Sequence, residues 1–221
     1  MAEQNDKQVA DWNDQSGERC VAHQARLDAM LAVFGQAAIE AAAPATGERV
    51  LDVGRGAGTS SLALAARVGA EGQVLGVDIS EPLIDRARAL APQDTPVLFR
   101  VADASSTELP EGAFDTLFSR FGDRGRVARI LTAAGFTDIA IAPFDASVPF
   151  GEGTTRDAAI DDAVRMALEV GPLSRALADQ PDDIRARASA AVRAAFADGP
   201  GERSVIIDGA AWIVTARNPA S

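Results

Sequence analysis

The segment from Arg49 to Val68 constrains the fold most, because a short apolar run passes through three glycines into an Ala/Leu-rich helix. The run Val50-Leu51-Asp52-Val53 leads into the glycine loop Gly54-Arg55-Gly56-Ala57-Gly58, and the predicted helix covers 59–68. Glycines allow a sharp turn and a close approach of ligand to backbone, and the helix start offers unpaired N–H groups. The pattern is typical of a nucleotide-binding loop, although a plain strand-to-helix turn has the same local form.

Predicted strands alternate with predicted helices after this loop. Strands are expected at 73–78, 97–103 and 114–119, and a helix with a proline in its first turn at 81–91. The alternation continues once more, with a helix at 126–134 and a strand at 137–143. This order predicts an α/β fold, Rossmann-like and doubly wound, with a mostly parallel sheet covered by helices on both faces.

The segments around this core are predicted from polarity and periodicity. Met1–Gly17 is polar and is expected to be a loosely ordered arm, followed by helices at 18–34 and 36–43. Further helices at 154–170 and 182–197 are expected to form a cap. The expected domains are an N-terminal arm with helices at 1–48, a Rossmann-like core at 49–150, a helical cap at 151–203, and a final strand within 204–221 that returns to the core sheet.

Composition excludes several classes of function. The net charge is −11, from 21 basic and 32 acidic residues, so the chain repels phosphate backbones and no nucleic-acid partner is expected. Lys7 is the only lysine, which excludes a P-loop and Schiff-base chemistry in the fold proper. The single cysteine, Cys20, fits a reducing, cytoplasmic location, and with one histidine no metal site is expected. No apolar run approaches the ~20 residues of a membrane span.

Two carboxylates follow the second and third predicted strands, at the sheet edge that also carries the glycine loop. Asp78 is placed to accept hydrogen bonds from ribose hydroxyls, although a helix N-cap is an alternative role, for which Ser80 is better placed. Asp103 ends the third strand, with an Asx turn as its alternative. Thr59 stands where dinucleotide dehydrogenases have their third glycine. Together with the lack of tyrosine, this disfavours a nicotinamide-dependent reductase.

The motif Asp52-Val53-Gly54-x-Gly56-x-Gly58, followed by Asp78 and Asp103, resembles class I S-adenosylmethionine-dependent methyltransferases over roughly 12–119. The resemblance is to the small-molecule group similar to ubiquinone-biosynthesis enzymes, which includes an N-terminal segment matching Trp12, Gly17 and Glu18. It implies that S-adenosylmethionine is the cofactor, with its methionyl part at the glycine loop, its ribose at Asp78 and its adenine by Asp103 and Ala104. The implied cofactor-binding residues are Asp52, Gly54, Arg55, Gly56, Gly58, Asp78, Ile79, Asp103, Ala104 and Ser119.

The chain departs from the family pattern in three ways. Arg55 stands where the family often has a small residue or cysteine, and Cys20 where the subgroup often has an aromatic residue. The segment 118–122 passes directly into the next predicted helix, so one helix and the fifth strand of the family are missing. Three origins would explain the missing segment: a degenerate natural copy, a deletion or a design. Six strands are therefore expected instead of seven, the last antiparallel beside 137–143. The uncovered apolar surface leads us to expect marginal stability and self-association into a homo-oligomer.

The implied activity is methyl transfer to a small-molecule acceptor, with a non-catalytic or degenerate domain that binds S-adenosylmethionine or S-adenosylhomocysteine as the alternative. No fixed catalytic motif is required, because the protein chiefly positions the reactants. His23 is the candidate general base, with an ordinary surface histidine as the alternative. Arg120 and Phe121 are candidates for facing substrate, or else a solvated arginine and a core phenylalanine. Trp12 either lines the cleft or anchors the arm.

Overall fold

The computed structural model describes residues 2–104, 106–107, 113–119 and 124–217. The chain divides into two compact units. The first comprises Met1–Asp28, Ala32–Phe144 and Ala211–Ser221, and the second comprises Ala29–Leu31 and Asp145–Ala210. The glycine loop and the carboxylates that follow the strands all belong to the first unit.

Three helices precede the sheet: α1 (Ala2–Trp12), α2 (Gln15–Ala22) and α3 (Gln24–Ala42). The expectation of a loosely ordered arm is therefore wrong, since α1 and the start of α2 occupy most of it. The two helices expected at 18–34 and 36–43 are also wrong, because α3 runs through Gly35 without interruption. It ends where Ala43 adopts a left-handed φ of 44° directly before Pro44, a residue that disfavours helical backbone in its predecessor.

The first unit contains a parallel sheet with two crossover helices. Its strands are β1 (Arg49–Val53), β2 (Gln73–Asp78), β3 (Val97–Val101) and β4 (Thr116–Ser119), and the helices are α4 (Thr59–Val68) and α5 (Glu81–Leu90). The strand order is β3-β2-β1-β4, and every pairing is parallel. The predicted α/β class with a mostly parallel sheet is confirmed. All carboxyl ends of the strands therefore meet at one edge, beside the glycine loop.

The two faces of this sheet are covered to different extents. One face packs on α4 in a core cluster that consists of Ile39, Val50, Leu64, Ala65, Val68, Val74 and Phe118. The other face carries one row of leucines across the four strands, namely Leu98, Leu75, Leu51 and Leu117. Leu51 is buried at the centre, whereas Leu98 and Leu117 are 57% and 46% exposed at the edges. Apolar surface thus stays accessible at both edges of this leucine row.

The remaining elements are α6 (Arg124–Ala133), β5 (Thr137–Glu152), α7 (Arg156–Glu169), α8 (Pro172–Ala176), α9 (Asp182–Asp198) and β6 (Ser204–Arg217). In the described residues β5 and β6 form a separate two-stranded sheet, so the expected single sheet of six strands is wrong, as is the return of the last strand to it. The two strands, of 16 and 14 residues, pair with each other, as predicted for the last strand and 137–143, but in the described residues neither joins the parallel sheet. Gly153 bonds to Arg203 and Ser147 to Asp208, an order that indicates antiparallel pairing.

The second unit is held by an apolar cluster and by one arginine. The apolar cluster joins α7 to Val205 of β6 and includes, from α7, Ala159, Ile160, Ala163 and Val164. Arg156, at the start of α7, donates to the carbonyl oxygens at the end of α9 and of the turn into β6, namely Phe196, Gly199, Pro200 and Ser204, at 2.5–3.2 Å. These bonds place a charged donor on carbonyls at the end of α9 and in the turn that follows, where the regular helical bonds end. Over the described part of the chain, no helix has the length and apolarity needed to cross a bilayer.

Candidate functional site

The glycine loop turns sharply between β1 and α4. Gly54, Gly56 and Gly58 have positive φ angles of 69°, 58° and 93°, a conformation that favours glycine. The N–H of Gly54 donates to Val77 O at 2.9 Å, which fastens the loop to β2. A Cβ built on Gly54 or Gly56 would meet nothing within 4 Å, so open space lies above both residues. The loop therefore presents accessible backbone to a ligand, as the sequence predicted.

Asp52 fixes the start of the helix that follows the loop. Its side chain is 1% exposed and accepts hydrogen bonds from Ser60 Oγ at 2.8 Å and Ser61 Oγ at 2.6 Å. Both serines lie in the first turn of α4, where a negative charge interacts favourably with the helix dipole. Asp52 thus stabilises the loop from below, and its burial leaves it no access to a ligand.

Asp78 joins the glycine loop to the end of β2. Its Oδ2 accepts from the N–H of Gly56 at 2.9 Å, and its Oδ1 accepts from the N–H of Ser80 at 3.0 Å. An ionised carboxylate has about four acceptor positions, so these two bonds leave room for two more. The geometry therefore places a preorganised carboxylate beside the open space above the loop.

The turn after Asp78 is held by the N-terminal helices, through Asn13 between α1 and α2. Asn13 Nδ2 donates to Ile79 O at 2.8 Å, and its Oδ1 accepts from the N–H of Glu81 at 2.8 Å. Ser80 Oγ donates to Trp12 O at 2.8 Å, while Ser80 itself makes no side-chain cap for α5. Asn13 therefore caps α5, a role the sequence analysis missed because its partners are 66 and 68 positions away.

The N-terminal helices also contact the glycine loop. Thr59 Oγ1 donates to Asp28 Oδ2 of α3 at 2.7 Å, and Gln24 bonds to the same carboxylate. His23 lies at the junction of α2 and α3, and its role as a general base stays a prediction. Trp12 takes part through its backbone carbonyl in the anchoring of the N-terminal segment.

Arg55 does not point outwards from the loop. Its side chain is 3% exposed and lies over the ring of Phe99 in β3, 4.0 Å from the ring centroid. Nη1 donates to Gly56 O at 3.1 Å. Burial lowers the pKa of Arg55 to about 10, against the attraction of Asp78 and Asp52 and with repulsion from Arg88. One signal in the sequence pointed to this placement, because a glycine inside a strand, here Gly76, often marks a close approach of another group.

The other predicted site residues lie along the same sheet edge. Ala102 N donates to Asp78 O at 2.9 Å, which brings Asp103 and Ala104 next to the end of β2. Asp103 O accepts from the N–H groups of Ser106 and Thr107 in a turn. Ser119 ends β4 opposite Val53 of β1. Arg120 and Phe121 lie outside the described residues. Backbone placement thus brings the predicted cofactor residues to one edge.

Part of this chain is similar in sequence to known methyltransferases. A family model described as a methyltransferase domain matches residues 50–134. An aklanonic acid methyltransferase from Streptomyces sp. (strain C5) is 34% identical over 90 residues, which cover 40% of this chain and 41% of that protein. A demethylmenaquinone methyltransferase from Clavibacter sepedonicus is 38% identical over 91 residues, which cover 41% of this chain and 36% of that protein. The chain spans less than half the length of these curated relatives.

A likeness of fold extends further along the chain than the likeness of sequence. The solved structure of a protein described as a methyltransferase from Bacillus halodurans matches with a TM-score of 0.51. The match covers 85% of this chain and 99% of that one, at 17% sequence identity. At this identity the likeness shows the fold, a mostly parallel central sheet with flanking helices.

Proposed function

We propose that residues 50–134, which match the model of a methyltransferase domain, form a class I S-adenosylmethionine-dependent methyltransferase domain, and that the whole chain transfers a methyl group from S-adenosylmethionine to a small-molecule acceptor. One observation carries the proposal. The 2.9 Å bond between Gly56 N and Asp78 Oδ2 unites the glycine loop and the strand-end carboxylate in one preorganised site. The open space above Gly54 and Gly56 fits a ligand that approaches the backbone closely.

The residues of the site divide the work of holding this cofactor. The glycine loop accepts the methionyl part, and the free acceptor positions of Asp78 hold the ribose hydroxyls. Asp52 fixes the start of α4 through Ser60 and Ser61. The remaining members of the proposed site are Gly58, Ile79, Asp103, Ala104 and Ser119. When bound, the cofactor supplies a methyl group on a sulfonium, so the protein needs chiefly to orient the acceptor and exclude water.

The names of the relatives suggest where to look for the acceptor. They are described as acting on aklanonic acid, on demethylmenaquinone and, for a third relative from Synechocystis, on 2-methyl-6-phytyl-1,4-hydroquinone. We therefore choose hydroquinones and aromatic acids as the first acceptors to screen.

We further propose that the chain acts in the cytoplasm. We also propose that the exposed Leu98 and Leu117 lead the chain to self-associate, and analytical sedimentation would measure this.

Calorimetric titration with S-adenosylhomocysteine tests the cofactor site. Asp78→Asn replaces an acceptor by a donor, so we expect affinity to fall roughly 10- to 100-fold, the value of a hydrogen bond to a charged group. Asp94→Asn is the matched control, since Asp94 is exposed and its left-handed φ of 66° is one that asparagine tolerates. Equal affinity in both variants would remove Asp78 from the site.

Two further arms separate the competing functions. Methyl transfer to any acceptor in the screen supports the enzyme, whereas tight binding without turnover supports a binding module. A parallel titration with NADH tests the reductase, and heat on addition of NADH but not of S-adenosylhomocysteine would overturn the proposed function.

A further inference from the structure

Arg55 holds a buried positive charge whose hydrogen-bonding capacity is largely unused. Within the part of the chain that the structure describes, Nε and Nη2 are buried and have no hydrogen-bond partner, and only Nη1 donates, to Gly56 O. Buried guanidinium groups are ordinarily paired, because the loss of water is otherwise expensive. The retention of this cation beneath a ligand-binding loop therefore calls for a reason beyond packing.

Two glycines leave the space that this side chain fills. A Cβ on Gly58 would lie 3.1 Å from Nη1 of Arg55, and a Cβ on Gly76 would lie 2.7 Å from its Nε. Phe99 closes the third side. The guanidinium is thus confined from three directions, which fixes the position of its charge relative to the loop.

The charge acts at the loop with little screening. Burial lowers the pKa of Arg55 only to about 10, so the group is protonated at neutral pH. It contacts the carbonyl of Gly56, the residue whose N–H bonds to Asp78. Interactions of buried charges are screened by solvent and salt far less than those of exposed ones. A fixed cation of this kind influences any charge that a bound ligand brings to the loop.

We propose that Arg55 sets the relative affinity for the two forms of the cofactor, disfavouring S-adenosylmethionine and favouring S-adenosylhomocysteine. The inference rests on the proposed function. The two molecules differ by a methyl group and by a positive charge on sulfur. In methyl transfer the C–S bond breaks, its electron pair stays on sulfur and the acceptor's lone pair forms the new bond to carbon, so the spent cofactor is the neutral thioether. A fixed cation therefore weakens binding of S-adenosylmethionine relative to binding of the product, and turnover falls as the ratio of spent to fresh cofactor rises.

The test is the ratio of two dissociation constants, measured by calorimetry on the full chain with each cofactor form in turn. Arg55→Met, which keeps an unbranched apolar side chain but removes the guanidinium and its charge, should lower Kd(S-adenosylmethionine)/Kd(S-adenosylhomocysteine) about fivefold. Arg55→Lys keeps the charge and should leave the ratio near that of the wild type. Arg88→Met is the matched control, because Arg88 lies near Arg55 but is 51% exposed and therefore screened; its ratio should change less than twofold.

The outcomes are distinguishable. A change of both constants by the same factor in Arg55→Met, with an unchanged ratio, shows that Arg55 only packs beneath the loop and overturns the inference. The same follows if Arg55→Lys shifts the ratio as far as Arg55→Met does. Arg55→Gln serves in place of the methionine variant if that variant does not fold. Absence of binding of both ligands to the wild type overturns the proposed function as well.

Discussion

Gly76 of β2 lies directly beneath the side chain of Arg55, so that any Cβ at position 76 would collide with Cδ of the arginine. The φ of Gly76 is not in the left-handed region, so the backbone itself does not require glycine there. The requirement comes from the neighbour. A residue in the loop and a residue in the strand thus depend on each other.

Gly76→Ala should destabilise the protein by about 2 kcal/mol, because overpacking of a closed space costs about 1–3 kcal/mol. Arg55→Ala in the same chain removes Cδ and Nε, so the alanine at 76 should then cost less, with only its close contact to Ser61 Oγ remaining. A double-mutant cycle from urea unfolding measures the coupling, expected to exceed about 1 kcal/mol. Additive effects of the two substitutions would show that Arg55 and Gly76 do not compete for space.

Arg55→Met should raise the free energy of unfolding between pH 7 and 9 by roughly 1–4 kcal/mol, the range found when apolar side chains replace buried charges, because the cost of burying the guanidinium is removed. The folded-state pKa of about 10 lies below the ordinary value of an arginine, so the buried charge destabilises the wild type fully below pH 10. Above pH 10 the folded state releases its proton before the unfolded state does, and stability is regained as the pH rises further. Urea unfolding of both proteins at pH 8 to 11 measures the difference. A difference that grows above pH 10 would contradict this sign.

Asn13→Ala should weaken binding of S-adenosylhomocysteine severalfold and destabilise the protein by about 1 kcal/mol, the usual loss for a helix cap. The two effects share a cause, since Asn13 bonds to Ile79 and Glu81 in the turn that follows Asp78. Calorimetry and urea unfolding measure them separately. Gln36→Ala is the control, because it removes an amide whose partner is Glu40 on the same exposed helix surface. Lost stability with unchanged affinity would show that the turn holds its shape without Asn13.

Arg156→Lys should loosen the second unit, because a lysine ammonium cannot reach four carbonyl oxygens with the geometry of a guanidinium. We expect hydrogen exchange to quicken at the end of α9 and the start of β6, by about tenfold or more for a loss near 1.4 kcal/mol. Arg165→Lys, on the same helix but 63% exposed in an ion pair with Asp162, should have no such effect. Unchanged exchange in Arg156→Lys would mean that the apolar cluster alone holds this unit together.

Local signals predicted the first unit well, and long-range pairings limited the rest. The bounds of β1, α4 and β2 agree with the sequence, because Gly54 and Gly69 follow the first two and β2 ends at Asp78, shortly before the proline-marked start of α5. The antiparallel pairing of β6 beside β5 was predicted, but its separation from the parallel sheet was not, since a strand pattern does not state which sheet the strand joins. Arg55 was expected to face a ligand as a loop residue, and its inward turn depends on the space above Gly76, which only the folded sheet creates.

The timing of synthesis gives the cap formed by Asn13 a further meaning. Helix α1 can form within about a microsecond of leaving the ribosome, but Glu81 is made 68 positions after Asn13. At about 5–20 residues per second, that interval lasts roughly 3 to 14 s. During those seconds Asn13 has no hydrogen-bond partner in the turn after β2, because that turn has not been made. Asn13 can bind the turn only after β2 has been synthesised. The order of translation thus makes the N-terminal helices wait for the second strand and the turn after it before they can dock.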